Sequence, residues 1–325
     1  MDGTKKDRKI FAPTDEAISR AAEIIKNGGL VAFPTETVYG LGANALDDAA
    51  VKKIFEAKGR PADNPLILHV ADIREASSFA VVNDVAESLI KRFWPGPLTV
   101  VLYSLKNVPL TTRAGLDTVA LRSPGNHIAL DLIKKSGKPI AAPSANRSGR
   151  PSPTTAEAVW DDLGDSVDMI LDGGMTAIGV ESTVIDATRE NISILRPGGV
   201  TREMLETIAK VTGGEGVASR RSPGTRHRHY APSTEVRLWE SGGLEVFQYE
   251  GRWCYVGMRT PPDGFVRKIT FDTYEDYARG LFRALRDLEN CGAVIIADLP
   301  DNTGLGEAIR NRLLHAAGKT LENFL

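Results

Sequence analysis

The stretch from Leu30 to Val70 constrains the fold more than any other part of the chain. An apolar run gives way to Pro34-Thr-Glu-Thr-Val-Tyr-Gly-Leu-Gly-Ala-Asn44. Next comes a segment in which Val51, Ile54 and Phe55 recur at helical spacing, and then Lys58-Gly-Arg60-Pro and a second apolar run. That order predicts strand, loop, helix and strand, with polar chemistry at both turns. The loop carries two hydroxyls, a carboxylate, a phenol and two glycines, and glycines let backbone N–H groups approach a bound anion. The same composition also suits a tight turn that bonds only to itself. Lys58 and Arg60 fall where the helical pattern stops, beside Gly59 and Pro61. Cations there can be simple helix-dipole partners; the rigid turn, Asn64-Pro65 and a histidine, His69, inside an apolar strand favour a site. His69 itself reads either as a satisfied half-buried residue or as a ligand-facing one.

A chain of 325 residues is too long for one small core, which predicts two domains. Forty basic residues against forty-two acidic ones leave no field for general nucleic-acid binding. No apolar run reaches membrane-spanning length and Met1 to Ala12 lacks a signal pattern, so the expected location is the cytoplasm. Cys254 and Cys291 stand far apart and outside any CxxC spacing, as free structural thiols would.

Along the chain, Thr14 can cap a helix that buries Ile18, Ala21, Ala22 and Ile25 and stops at Gly28-Gly29. Asp84 can cap a second helix, halted by Pro95-Gly96-Pro97, and a strand runs from Leu98 to Tyr103. A strand at Thr118–Arg122, a helix at Ile128–Ser136 and a strand at Ile140–Ala142 follow. Thr154-Thr-Ala-Glu157 reads as a capping box, and short strands are expected at 168–171, 183–186 and 192–195. Strand and helix alternate too irregularly for a doubly wound sheet; a twisted mixed sheet flanked by helices fits better.

Pro143-Ser144-Ala145-Asn146-Arg147-Ser148-Gly149 follows an apolar strand, and its short hydroxyl and amide groups suit phosphate oxygens as well as they suit an Asx turn. Arg122 and Arg196 each close an apolar strand, where a forked guanidinium matches carboxylate or phosphate. After Lys210 the character changes. Residues 211–233 are rich in Gly, Ser and Pro, lack apolar periodicity and read as a linker. His227 and His229 have no third ligand nearby, which argues against a metal. Beyond them, strands at Val236–Trp239 and Trp253–Gly257, a helix at Tyr274–Leu288, a strand at Ala293–Asp298 and a helix near Glu307–Ala317 predict a small three-layer α/β domain. Gly304-Leu-Gly306 lacks the third glycine of a dinucleotide fingerprint and reads as a tight turn.

Seven pieces carry a family resemblance: PTETVYGLG (34–42), KGRPADNPLILHV (58–70), WPGPLTVVL (94–102), DTVALRSPGNH (117–127), PIAAPSANRSG (139–149), GVESTVID (179–186) and ILRPG (194–198). Through them the chain resembles the threonylcarbamoyl-AMP synthase family, whose catalytic module is the YrdC-like domain. Ser222-Pro-Gly-Thr-Arg-His-Arg-His-Tyr-Ala-Pro232 is similar to the linker of its long-form branch. The resemblance implies a YrdC-like domain over 1–210, a linker or lid over 211–233 and a smaller Rossmann-like domain over 234–325.

The resemblance also implies a reaction. Threonine and bicarbonate form an N-carboxylated threonine, whose carboxylate attacks the α-phosphorus of ATP to give threonylcarbamoyl-AMP and pyrophosphate. Other proteins then pass the threonylcarbamoyl group to adenosine in tRNA. Carried over by motif, Lys58, Arg60, Ser144 and Asn146 would serve the transferring phosphate, with Mg²⁺ arriving on ATP. Asn64, Thr118, Ser152, Arg196 and Tyr230 would contact the nucleotide. Thr35 or Thr37, His69, Arg122, the Ala142 backbone and Ser182 would hold threonine. With its balanced charge, no strong direct nucleic-acid binding is expected of the chain itself. The alternatives are an RNA-binding module, disfavoured by an aromatic content of 6 %, and a carbamoyl transferase of hydrogenase maturation, which would require segments absent here.

Overall fold

The computed structural model describes residues 9–212, 230–240 and 252–318. Of the linker or lid expected over 211–233, residues 213–229, His227 and His229 among them, lie outside the described residues. The larger sheet contains β1 (Ile10–Phe11), β2 (Val31–Phe33), β3 (Gly40–Asn44), β4 (Ile67–His69), β5 (Leu98–Tyr103), β6 (Thr118–Arg122), β7 (Ile140–Ala141), β8 (Met169–Leu171), β9 (Thr183–Asp186) and β10 (Ser193–Arg196). They lie side by side in the order β1-β8-β2-β3-β7-β4-β6-β5-β9-β10. Parallel pairs such as β4 with β6 alternate irregularly with antiparallel ones such as β5 with β6, which is the expected mixed sheet.

Helices cover it as the apolar spacing predicts. In α1 (Asp15–Lys26), Thr14 caps the first turn by accepting from the Ala17 N–H at 3.2 Å. Its Ile18, Ala21, Ala22 and Ile25 pack on Ile128, Leu132 and Ile133 of α5 (His127–Ser136). On the other side, α2 (Asp48–Lys58) and α4 (Asp84–Phe93) bury Val51, Ile54, Leu89 and Ile90 against Leu68, Val100 and Leu121.

Some local expectations need correction. The segment after Pro34 does not lead straight into a helix: Gly40–Asn44 returns as β3, antiparallel to β2. A Cβ on Gly42 would sit 2.7 Å from a Phe33 ring carbon and 2.8 Å from Ile140 Cγ2, so this glycine serves close strand packing. Thr155, not Thr154, caps α6 (Ala156–Leu163), which leaves Glu157 one position early for a reciprocal capping box. Asn83, not Asp84, caps α4.

The smaller sheet contains β11 (Val236–Trp239), β12 (Trp253–Gly257), β13 (Phe265–Thr270) and β14 (Val294–Asp298), all parallel in the order β11-β14-β12-β13. Tyr277, Leu281 and Leu285 of α8 (Tyr274–Glu289) and Ile309 and Leu313 of α9 (Gly304–Ala316) share a core with Ile295 and Ala297. Gly304 and Gly306 open α9 rather than form a separate turn. Both helices reach the larger unit: from α8, Arg286 bonds to the Pro151 carbonyl and pairs with Asp162 at 2.7 Å and Glu289 pairs with Arg150 at 2.5 Å, and from α9, Glu307 pairs with Arg202 at 3.5 Å. Among the described residues no helix is long and apolar enough to cross a membrane.

Candidate active site

A cleft of about 740 Å³, open mouth included, lies over the sheet face that the main core leaves uncovered. In β4 and β6, Leu68 and Leu121 turn into that core. By two-residue alternation, Ile67 and His69 face the cleft, paired in register with Ala120 and Arg122. Thus two residues far apart in sequence become side-by-side neighbours.

Lys58, Arg60, Ser144, Asn146, Ser152, Arg196 and Tyr230 line the cleft. Thr35, Thr37, His69, Arg122, Ala142 and Ser182 line it too, on the same continuous wall. Asn64 and Thr118 are not on the wall. Asn64 is buried and offers its carbonyl to Arg60 at 3.2 Å. Thr118 pairs with Tyr103 at the opposite end of β6 from Arg122, roughly 13 Å away at strand rise.

One end of the cleft is built around Lys58. Gly59, at φ 59°, turns the chain out of α2 in the left-handed region that glycine tolerates. The buried Lys58 Nζ donates to the carbonyls of Ser144 at 2.6 Å and Asn146 at 2.5 Å. Ser144 Oγ donates to Asn146 Oδ1 at 2.5 Å, while Asn146 Nδ2 donates to the Arg147 and Arg150 carbonyls at 2.8 and 2.9 Å. A protonated lysine has three N–H bonds, so one is left for the cleft. Burial, followed by the nearby Arg60 charge, holds the Lys58 amine well below its ordinary pKa. Burial also brings Arg60 down to about 10, and its Nε has no hydrogen-bond partner among the described residues. Both cations are therefore poised to gain from an anion.

The other end is built around Arg122. Its Nε donates to the Gly96 carbonyl at 3.2 Å, its Nη1 to Thr37 Oγ1 at 3.1 Å, and its Nη2 pairs with Glu36 Oε1 at 2.6 Å. Thr35 gives its only hydroxyl proton to the Val38 carbonyl at 2.7 Å, so Thr37 must be the donor in the 2.8 Å contact between the two hydroxyls. Thr35 also accepts from the Thr37 and Val38 N–H groups and is saturated; Thr37 keeps acceptor capacity toward the cleft. Burial lowers His69 to about 3, with Arg122 acting in the same direction, so the imidazole is neutral.

Between the two ends, Arg196 donates to the Ser182 carbonyl at 2.9 Å and to Ser182 Oγ at 3.2 Å, and burial lowers its pKa. Glu181 accepts from Ser152 and from Arg312 Nε, the latter at 2.8 Å. Burial pushes Glu181 up, but Arg312 and Arg196 carry it below its ordinary value. Sequence reasoning missed Glu181 and Tyr39, which line the cleft, and Glu36, which lies behind Arg122. The available signal was a carboxylate isolated among hydroxyl and apolar residues in two of the matching pieces.

Three buried cations, Lys58, Arg122 and Arg196, and the half-buried Arg60 stand around one concave wall of an α/β protein, interleaved with hydroxyl and amide groups, a set of donors suited to a polyanionic ligand. Residues 23–198 match the family model described as telomere recombination, and residues 200–318 match that of the threonylcarbamoyl-AMP synthase C-terminal domain. The chain belongs to the threonylcarbamoyl-AMP synthase family, a family of nucleotidyl-transferring enzymes. It is 49 % identical to the threonylcarbamoyl-AMP synthase of Pyrococcus abyssi over 92 % of this chain and 93 % of that one. It is 45 % identical to the Bacillus subtilis enzyme over 95 % of each. Its fold matches the crystal structure of P. abyssi Sua5 complexed with L-threonine at a TM-score of 0.87, covering 93 % of this chain and 94 % of that chain at 47 % identity.

Proposed function

We propose that this chain makes threonylcarbamoyl-AMP and pyrophosphate from L-threonine, bicarbonate and ATP, in the cytoplasm, for transfer to tRNA adenosine by other proteins. The observation that carries the reading is the meeting, in one cleft, of the Lys58-Ser144-Asn146 cluster and the register pair His69 and Arg122. The first suits a triphosphate and the second an amino acid, since Arg122 still has N–H groups for a carboxylate and neutral His69 can exchange a hydrogen bond with a hydroxyl without a charge penalty. We further propose the division of the chain at about residues 210 and 233.

In this reading the threonine amine attacks the carbon of bicarbonate, the C–OH bond breaks and the hydroxide leaves as water with the proton that the nitrogen gives up, and the new carbamate oxygen attacks the α-phosphorus as the bond to pyrophosphate breaks. Lys58 and Arg60 hold the phosphates in line, while Ser144 and Asn146, whose O–H and N–H donors are spent within their own loop, place the Lys58 Nζ through their carbonyls. Such transfers depend on positioning and charge more than on covalent intermediates. Thr37, His69, Arg122, the Ala142 backbone and Ser182 hold threonine; Ser152, Arg196 and Tyr230 hold the nucleotide. Asn64 acts through Arg60, and Thr118 through the β6 strand that carries Arg122. Mg²⁺ belongs to ATP as substrate in this reading, because Mg²⁺ commonly rides on phosphate oxygens, where it neutralises the leaving pyrophosphate.

The test is pyrophosphate release with threonine, bicarbonate and Mg²⁺ each withheld in turn. Release is expected to need all three. ATP turnover that is unchanged without threonine would remove the assignment.

A further inference from the structure

We propose that Arg312, on α9 of the C-terminal domain, is a positioning residue for the nucleotide half of the cleft, acting through Glu181 on Ser152. The inference rests on the reading of this cleft as the ATP site. Arg312 has 0 % exposure and is the largest fully buried side chain described. Its Nε donates to Glu181 Oε2 at 2.8 Å, its Nη1 to the Pro197 carbonyl at 2.8 Å and to Asn311 Oδ1 at 2.9 Å, and its Cζ stands 5.4 Å from the Tyr230 ring centre. Enclosing a guanidinium costs several kcal/mol unless its partners are in place. Docking is already met by pairs that do not line the cleft, Arg286 with the buried Asp162 at 2.7 Å and the half-exposed Arg202 with Glu307 at 3.5 Å. Arg312 reaches instead to the cleft wall. Glu181 and Tyr230 line it, and Pro197 directly follows the wall residue Arg196.

The consequence is a fixed direction of hydrogen bonding. A carboxylate only accepts, so Ser152 must give its single hydroxyl proton to Glu181. Ser152 then shows the cleft lone pairs only, and suits a donor on the nucleotide, such as a ribose hydroxyl or an exocyclic amine. That direction holds while Glu181 stays ionised, and the buried charge that keeps it so includes one supplied by the second domain. Without Arg312, Glu181 loses the first of the cations that offset its burial and the partner that holds Oε2, so its proton affinity rises and the direction of its bond to Ser152 is no longer fixed.

The experiment uses the full chain with Arg312→Met, Arg312→Lys, Glu181→Gln and the Arg312→Met/Glu181→Gln double substitution. ATP binding is measured by calorimetry, and the KM values for ATP and threonine are measured separately. Arg312→Met and Glu181→Gln should each weaken ATP binding about tenfold or more, the scale for a hydrogen bond to a charged group. The threonine KM should stay within about twofold, the double variant should be no weaker than the weaker single one, and Arg312→Lys should recover part of the loss. Equal movement of both KM values, or a fall in thermal midpoint with unchanged ATP affinity, would make Arg312 a domain fastener and overturn the proposal. If Arg312→Met does not fold, Glu181→Gln decides alone, and wild-type ATP affinity in that variant overturns it. A wild-type chain that binds no ATP defeats the reading of the cleft and the proposal together, whereas wild-type binding matched by Arg312→Met defeats the proposal only.

Discussion

Replacing Lys58 with methionine removes the charge at the centre of the phosphate end while keeping the length of the side chain. Two effects must be separated. The first is catalytic: the third Nζ–H is a preorganised donor on the cleft wall, and losing one such donor costs about 2.7–4 kcal/mol in the transition state, or roughly 10²–10³ in kcat. The second is structural, because the other two N–H bonds hold the Ser144 and Asn146 carbonyls at 2.6 and 2.5 Å. Each such bond contributes about 1.5–3 kcal/mol, but the amine's depressed pKa shows that its burial is already unfavourable, and methionine relieves that penalty. The net loss of stability should therefore fall below the roughly 3–6 kcal/mol that the two bonds would contribute together. Pyrophosphate release at saturating substrates gives the first effect, and thermal unfolding of the same preparation gives the second. A folded Lys58→Met chain within about threefold of wild-type kcat would refute the reasoning and reduce Lys58 to a loop anchor.

Three further outcomes follow from the same geometry. Glu36→Gln removes the charge that holds Arg122 Nη2 at 2.6 Å, so the threonine KM should rise about tenfold with the ATP KM unchanged; equal effects on both would count against a separate threonine end. His69 is held neutral at about 3 against an ordinary 6.5, so the unfolded chain binds a proton that the folded chain refuses. Its contribution is complete above roughly pH 6.5 and is lost as pH falls toward 3, an effect of up to a few kcal/mol. The thermal midpoint of His69→Gln should accordingly fall less steeply than wild type between roughly pH 6.5 and 4, and parallel curves would reject the assignment. Gly198→Ala would place a Cβ 2.3 Å from the Glu181 carbonyl and 2.4 Å from the Thr183 nitrogen. It should destabilise the chain by about 1–3 kcal/mol or more and weaken ATP binding, which unfolding and calorimetry would read.

Strands Leu98–Tyr103, Thr118–Arg122, Val236–Trp239 and Trp253–Gly257 were legible to the residue because turn formers or charged residues bound apolar, β-branched runs. Where the signal is weak, reading failed for physical reasons. Gly40 and Gly42 give β3 no side-chain pattern, although packing against Phe33 and Ile140 demands their smallness. The mostly exposed edge strand β13 carries Arg267 and Lys268 and has no buried face to alternate. The one-turn helices Ile73–Ala76 and Arg202–Glu206 are too short for periodicity to register. Most candidate site residues could be named through the family motifs, and the cleft gathers them. Their partners could not: Glu36 acquires meaning only from Arg122, and Glu181 only from Arg312, 131 positions away. Of the two sequence-derived residues off the wall, Asn64 directly precedes the wall residue Pro65, and Thr118 shares the β6 face of Arg122 by alternation but stands at the far end of the strand.

The central claim is that the nucleophile on ATP is a carboxylate assembled from two other substrates. The most direct measurement supplies carbon-13 bicarbonate with threonine and MgATP and follows the nucleotide product by mass spectrometry. The account predicts threonylcarbamoyl-AMP carrying the label in its carbamoyl carbon, formed in step with pyrophosphate and absent when threonine is omitted. Pyrophosphate released without threonine, or an adenylate that carries no label, would contradict it.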